Sequence, residues 1–153
     1  MSFEKLPAGT RGPRNPPAFV GRILLPLMIR IHRLMRDRFR GGDLVYLTTV
    51  GAKSGRERTV PVARFDDGAG GWFVVASANG AVRQPGWYHN IAAHPDQVRA
   101  EVAGRRHRVA VEQLEGDARE RAWAQIVHRA KGFEAYTRKT DRQLPVLRLT
   151  PVR

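Results

Sequence analysis

The chain has 153 residues, no cysteine, and 27 lysines and arginines against 14 aspartates and glutamates, a formal net charge of +13. That length fits one domain with its own core, and the lack of thiols excludes disulfides, cysteine nucleophiles and Cys-ligated zinc or iron-sulfur centres. The positive field suits nucleic acid, anionic lipid or a polyanionic small molecule as partner, and no apolar run reaches the roughly 20 residues of a membrane span.

Residues 1–17 carry four prolines and two glycines with few apolar residues, which predicts a flexible, extended arm. They show no basic stretch leading into an apolar one with a small-residue cleavage site, so no secretory signal is expected and a cytoplasmic location is the default. Residues 18–40 predict an amphipathic basic helix. Ile23, Leu24, Leu27, Met28, Ile31, Leu34 and Met35 share one face, with Arg22, Arg33, Arg36 and Arg40 opposite. Pro26 should kink it. Such a helix either packs on the domain's own core or makes peripheral contact with an anionic membrane, here the inner face of the cell membrane.

From Gly42 the period becomes that of strands. Leu44–Val50, Arg58–Phe65 and Trp72–Ser77 are joined by the glycine-containing turns GAKSGRE and DDGAGG, which predicts an antiparallel meander. Pro61 cannot donate to a ladder, so its strand is expected at an edge, at a bulge, or where a ligand replaces a neighbour. In QPGWYHNIAAHP, Pro85 and Pro95 bracket a short helix whose Trp87, Asn90, Ile91 and His94 should face the sheet. QVRAEV and RRHRVAVEQL form a hairpin around Ala103-Gly104. Asp117 then caps a helix, Gly132 separates it from a second, and Leu144–Thr150 supplies a last strand. Hairpins dominate and no βαβ repeat occurs, so the fold class is α+β, built on antiparallel strands as a sheet or small barrel with flanking helices. Residues 41–153 form the cofactor-sized domain.

Three stretches carry chemistry. Gly51–Arg58, GAKSGRER, combines glycines that free backbone amides with Lys53, Ser54, Arg56 and Arg58; it can cradle a phosphate or carboxylate, or serve only as a solvated turn. It is not a P-loop, since GxxxxGK[ST] is absent. His89 and His94 are five apart with no acid between them, so no metal site is expected. No GxSxG elbow or paired acids appear, and a catalytic role would rest most easily on a bound cofactor. Aromatics are few and placed where a core would claim them, so no nucleic-acid partner is expected.

TTVGAKSGRERTVPV, VVASANGAVRQPGWYHNIAAHP and FEAYTRKTDRQLPV, in that order, resemble the deazaflavin (F420)-dependent nitroreductase and quinone reductase family, actinobacterial proteins that use reduced coenzyme F420. The resemblance covers roughly Leu44 to Pro151 and implies a split β-barrel related to flavin-mononucleotide-binding oxidases. It implies coenzyme F420, an 8-hydroxy-5-deazaflavin with a polyanionic tail. Lys53, Ser54, Arg58 and Thr59 match the family's tail-binding positions, and Pro61 and Val62 those beside the ring. Ala76, Ser77 and Ala78 match the backbone run bordering the deazaflavin, and Trp87 and Tyr88 match the wall of the cofactor pocket. Tyr136 matches one of the family's substrate-pocket tyrosines and, helped by Ser77, is the expected donor to the acceptor oxygen.

Three departures stand out against the family pattern. Ala78 sits where relatives often carry lysine, so a tail cation is missing unless Arg83 supplies one. Ala130 and Phe133 replace tyrosines of the nitroreductase branch, which implies a roomier, more apolar substrate pocket formed with Tyr136. The resemblance therefore implies an F420H2-dependent reductase passing hydride to a small-molecule acceptor of quinone, enone or nitro type. The alternatives are a non-catalytic carrier of fatty acid or other lipid on the same barrel, and an enzyme using a flavin. Barrels with exposed edges often dimerise, so a homodimer is a further expectation.

Overall fold

A computed structural model describes residues 4–34, 38–39 and 42–153. Its elements in chain order are α1 (Ala18–Leu34), β1 (Arg38–Phe39), β2 (Gly42–Val50), β3 (Glu57–Asp66), β4 (Trp72–Val75), α2 (Gly86–Ala93), β5 (Arg99–Val102), β6 (Arg105–Gln113), α3 (Gly116–Arg129), α4 (Gly132–Lys139) and β7 (Val146–Pro151). A 3-10 turn, Ala78–Gly80, lies between β4 and α2.

All strand pairings are antiparallel. The order runs β1-β2-β3-β4-β7-β6-β5, and β5 pairs back onto β2 through Leu47↔Ala100, closing a barrel with the two-residue β1 outside it. This is the split β-barrel that the family resemblance implies, and it agrees with the antiparallel sheet or small barrel expected from the hairpins. The split lies at β3. It follows β2 from Arg64↔Asp43 to Glu57↔Val50 but meets β4 only at Phe65↔Phe73 and Asp66↔Trp72. Pro61 therefore sits on a stretch of β3 laddered on one side, as its missing donor requires.

Side-chain alternation sorts the core into two clusters. Inside the barrel, Val45 and Leu47 of β2, Val74, Val109, Val111, Leu147 and Leu149 pack with Tyr88 and Ile91 from α2, which closes one end. On the outside, Phe65, Phe73, Val75 and Val146 pack under Ala122 and Ile126 of α3, with Phe133 and Tyr136 of α4 at the margin. Successive residues of β4 thus serve opposite cores, and Phe73, Val74 and Val75 are all buried.

The face of α2 differs from the sequence expectation. Its buried residues are Tyr88 and Ile91, with Trp87, Asn90 and His94 only partly covered. Both sets obey helical spacing, and the barrel end selects the larger ring that can also satisfy a hydroxyl. Asp117 also differs. Glu115 occupies the N-cap position of α3 without a side-chain hydrogen bond, and Asp117 stands inside the first turn, where its charge still complements the positive helix end.

Residues 4–15 run as an extended segment held by specific bonds. The Leu6 amide donates to Tyr88 Oη at 2.9 Å, and that hydroxyl donates to Gln113 Oε1 at 2.5 Å. Gln113 Nε2 donates to the Glu4 carbonyl at 2.8 Å. Gly9 and Pro13 exchange backbone bonds with Val82. Asp141 accepts from the Thr10 hydroxyl and from the amides of Thr10 and Arg11, which hold its carboxyl well below the usual carboxylate range.

In α1, Pro26 lies within the helix. Leu24, Leu27, Met28, Ile31 and Leu34 are exposed, Leu34 by 84%. Met35, Arg36 and Arg40 lie outside the described residues, as do the side chains of Arg22, Ile23 and Arg33.

Replacing Tyr88 by Phe removes a buried hydroxyl that links the N-terminal segment to β6. Y88F is expected to unfold in urea with a loss of about 1–2 kcal/mol and to expose the Leu6 amide to faster hydrogen exchange. Unchanged exchange at Leu6 would show that the segment holds without this bond.

Candidate active site

A cavity of about 740 Å3 opens beside the split. One wall is β3, with Pro61, Val62, Ala63, Arg64 and Phe65. The facing wall comes from the α3–α4 junction, with Ala130, Phe133 and Tyr136, and Arg129 and Lys131 from the same junction also line it. Ser77, Ala78 and Asn79 of the 3-10 turn and Trp87 of α2 form the floor, and Met28 of α1 adds an apolar contact. The size lies within the range of small-molecule sites, about 300–1,000 Å3, and the apolar walls are interrupted by the charged residues Asp43, Arg64, Asp66, Arg129 and Lys131.

The aromatic wall has a fixed geometry. Phe133 meets Phe65 edge-on with centroids 5.7 Å apart and Tyr136 edge-on at 5.5 Å, the arrangement that ring quadrupoles favour. Lys139 Nζ lies 5.5 Å from the centre of the Tyr136 ring, a cation–π contact.

The floor is backbone held in an unusual form. Ala78, Asn79 and Gly80 have φ of 45°, 54° and 79°, three successive left-handed residues, costing roughly 1–2 kcal/mol at Ala78. At Gly80 a side chain is also barred by space, since a Cβ there would lie 3.1 Å from the Tyr136 carbonyl oxygen and from Lys139 Cβ. The turn therefore sits directly on α4.

Arg142 supplies what holds this turn. It is 6% exposed, and its Nε donates to the Ala81 carbonyl at 2.7 Å. Nη1 donates to the Ala76 carbonyl at 3.1 Å and to Gln84 Oε1 at 2.7 Å, and Nη2 donates to the Ser77 carbonyl at 2.6 Å. Burial pulls its pKa down, but a guanidinium keeps its charge in proteins.

The basic turn after β2 is a separate structure at the far end of β3. The amide of Gly55, whose φ is 67°, donates to the Gly51 carbonyl at 2.9 Å, and the Gly51 amide to the Arg56 carbonyl at 2.8 Å. Ser54 Oγ accepts from the Arg56 amide. Asn90 of α2 ties the turn down: its Oδ1 accepts from the Ala52 amide at 3.0 Å and its Nδ2 donates to Thr49 Oγ1 at 3.2 Å.

Of the residues singled out in the sequence, the structure brings Pro61, Val62, Ser77, Ala78, Trp87, Ala130, Phe133 and Tyr136 to one cavity. Lys53 and Ser54 are exposed on the basic turn, and Arg58 is half-buried on β3. Thr59 shares a hydrogen bond with Thr48 at 2.9 Å and lines a smaller groove with Glu57 and Arg99. Ala76 is fully buried and does not line the cavity; its carbonyl accepts from Arg142. Tyr88 belongs to the barrel core and does not line the cavity; its hydroxyl goes to Leu6 and Gln113 instead. Sequence reasoning missed Arg142, Arg64 and Met28. Among the described residues no cluster of three or more metal-ligating side chains occurs.

The family model for F420H(2)-dependent quinone reductase matches residues 30–151. An F420H(2)-dependent quinone reductase of Mycobacterium tuberculosis is 37% identical over 108 residues, covering 68% of this chain and 70% of that one. The solved structure of an F420-H2 dependent reductase matches with a TM-score of 0.63 at 35% identity, covering 70% of this chain and 93% of that one. A second solved structure, a domain-swapped dimer, matches with a TM-score of 0.63 at 30% identity, covering 81% and 96%. The fold and these matches together define a split-barrel reductase that depends on reduced F420, an enzyme rather than a carrier. The chain belongs to the F420H(2)-dependent quinone reductase family, and coenzyme F420 is its cofactor.

Removing the Arg142 guanidinium leaves the Ala76 and Ala81 carbonyls and Gln84 Oε1 without their donor beside a strained turn, while the Ser77 carbonyl keeps the Gly80 amide. Arg142→Met is expected to lower stability to urea by about 2–4 kcal/mol and to speed amide exchange across residues 76–84. Arg142→Lys should recover little of this, because one ammonium on a flexible stem cannot reproduce the planar fork. Full recovery by lysine would reduce the role of Arg142 to its charge.

Proposed function

We propose that this chain reduces a quinone or an activated enone with hydride from F420H2 in the cavity between β3 and the α3–α4 junction. The observation that carries the reading is that segments far apart in sequence converge there: Pro61 and Val62, Ser77 with Ala78 and Trp87, and Phe133 with Tyr136.

The cavity fits the coenzyme's demands. Apolar side chains of β3 and the indole of Trp87 suit a flat ring, and Ser77 with Ala78 borders it along one edge. Lys53, Ser54, Arg58 and Thr59 would hold the polyanionic tail outside the cavity, with Arg83 near the floor as a substitute for the family lysine at Ala78. When bound, the reduced deazaflavin supplies the hydride.

The protein's share is positioning, exclusion of water and charge stabilisation. Phe65 and Phe133 cover the site with carbon. Tyr136 Oη is the donor to the acceptor oxygen as negative charge develops on it, assisted by Ser77 Oγ. Ala130 and Phe133 contribute no hydroxyl to the wall, which favours an apolar ring acceptor over a nitro compound.

The exposed apolar row Leu24, Leu27, Met28, Ile31 and Leu34 of α1 supports a cytoplasmic enzyme seated on the inner membrane face, where a lipid-soluble quinone would reach the cavity past Met28. No helix among the described residues is long and apolar enough to cross a membrane. The singly laddered stretch of β3, together with the dimeric neighbour, supports a homodimer.

Two measurements test this reading. Tyr136→Phe is expected to cut the menadione-dependent oxidation of F420H2 by on the order of ten- to a hundred-fold, with the fluorescence titration of F420 unchanged. A normal rate removes Tyr136 from the mechanism. Pairing Leu27→Glu with Ile31→Glu is expected to abolish cosedimentation with anionic phosphatidylglycerol vesicles; equal soluble fractions for wild type and variant would leave α1 without a membrane role.

A further inference from the structure

The N-terminal segment lies against the loop that forms the cavity floor, and two of its glycines mark where it touches. At Gly12, whose φ is 143°, a Cβ would stand 2.9 Å from the Gly80 carbonyl oxygen, 3.2 Å from the Val82 amide nitrogen and 3.3 Å from the Lys139 carbonyl oxygen. At Gly9 it would stand 2.5 Å from Asp141 Oδ1 and 3.1 Å from Arg142 Cβ. A methyl group does not fit that close to backbone, so a larger residue at Gly12 must lift the segment off the loop. The hydrogen bonds run to the same place. The Gly9 amide donates to the Val82 carbonyl at 2.8 Å, and the Val82 amide donates to the Pro13 carbonyl at 2.9 Å. Gln84 Nε2 is shared between the Leu6 and Pro7 carbonyls at 3.5 and 3.4 Å, while its Oε1 accepts from Arg142 Nη1 at 2.7 Å. Asp141, next to Arg142, accepts from the hydroxyl and amide of Thr10 and from the amide of Arg11. Ala78, Asn79 and Gly80 are left-handed, a form that persists only where its surroundings hold it.

We propose that residues 9–13 are a positioning element of the coenzyme site. Seated on Gly80, Val82 and Arg142, they keep Ser77, Ala78 and Asn79 in the form that receives the deazaflavin, and they line no part of the cavity themselves. This rests on the reading of the cavity as the place where F420 binds. The segment acts on the fraction of molecules whose floor is ready. The apparent dissociation constant rises in inverse proportion to that fraction, whereas bound coenzyme selects the ready floor, so turnover at saturation stays the same. A segment that only stabilised the barrel would behave differently: its loosening would lower the unfolding midpoint and leave coenzyme affinity intact.

The test is a fluorescence titration of oxidised F420 with the full chain. Gly12→Ala is expected to raise the dissociation constant about ten-fold, the value for a floor ready in about a tenth of molecules. Its KM for F420H2 should rise likewise, with kcat for menadione reduction unchanged. Thr10→Val removes a hydroxyl bonded to Asp141 and adds no bulk, so it tests the same contact should Gly12→Ala not fold; a rise of about three-fold is expected. Gly104→Ala is the control. It strains the open β5–β6 hairpin, where φ is 79° and a Cβ meets nothing, and should lower stability with the titration unchanged.

A wild-type dissociation constant in Gly12→Ala, or in Thr10→Val where that variant replaces it, overturns the proposal. So does an equal rise in Gly104→Ala, which would make the effect one of global stability. A fall in kcat with KM for F420H2 unchanged overturns it as well. Trp87→Ala separates this proposal from the reading beneath it. If that variant binds F420 as wild type does, the cavity is not the coenzyme site and both fail; if it weakens binding and Gly12→Ala does not, the positioning role alone fails.

Discussion

One guanidinium organises the floor of the active site. Arg142 is buried without a carboxylate among its hydrogen-bond partners, and its donors go to the carbonyls of Ala76, Ser77 and Ala81 and to Gln84 Oε1. Carbonyl oxygens carry partial charge only, so several must converge to offset the desolvation of a full one. That requirement fixes the path of the chain from β4 to α2. It also explains how Ala78 and Asn79 persist in left-handed conformations: strained backbone survives where its surroundings over-determine it. The same loop is clasped from the far side, where Val82 exchanges backbone bonds with Gly9 and Pro13 and Asn15 bonds both the amide and the carbonyl of Arg83. The floor is thus set before any ligand arrives, which lowers the entropic cost of binding.

A second constraint joins the two motifs that lie furthest apart in function. Asn90 on α2 holds the Ala52 amide and the Thr49 hydroxyl, so the basic turn is fixed relative to the helix that presents Trp87. The turn itself is short and glycine-rich, with Lys53 and Arg56 exposed. A turn that must meet a flexible polyanion needs orientation of its backbone more than rigidity of its side chains. One amide side chain, with a donor and an acceptor on the same planar group, provides that.

Much of the fold was legible because its signals are local. Alternation in Leu44–Val50 and Trp72–Ser77, glycine at the tight turns and proline around α2 each act within a few residues, so the β2–β3–β4 meander and the β5–β6 hairpin were legible, whereas the β4–β7, β6–β7 and β2–β5 pairings were not. The cavity residues were legible for another reason: the motifs carrying Pro61, Ser77 and Trp87 resemble a known family. What sequence could not show was long-range. Arg142 is one of 27 lysines and arginines, and nothing near it distinguishes a buried arginine from a solvated one. Tyr88 and Trp87 are neighbours of similar character, and only the barrel end decides which ring enters the core and which faces the cavity. The N-terminal segment reads as a flexible, extended arm, because its partners Asp141, Gln113 and Val82 lie far along the chain.

Net charge and local charge also separate in this protein. A sum of +13 suggests a basic surface throughout, yet the cations divide by environment into distinct tasks. Lys53 and Arg56 stay in water, where they can meet a multiply charged tail at long range and exchange counterions freely. Arg142 is withdrawn from water and directs its donors to the carbonyls of Ala76, Ser77 and Ala81 and to Gln84 Oε1. Arg64 lies between these extremes, partly buried on β3 and paired with Asp43 across the β2–β3 ladder. The polarity of this active site is therefore set less by how many arginines the chain carries than by how completely each one is satisfied by the fold.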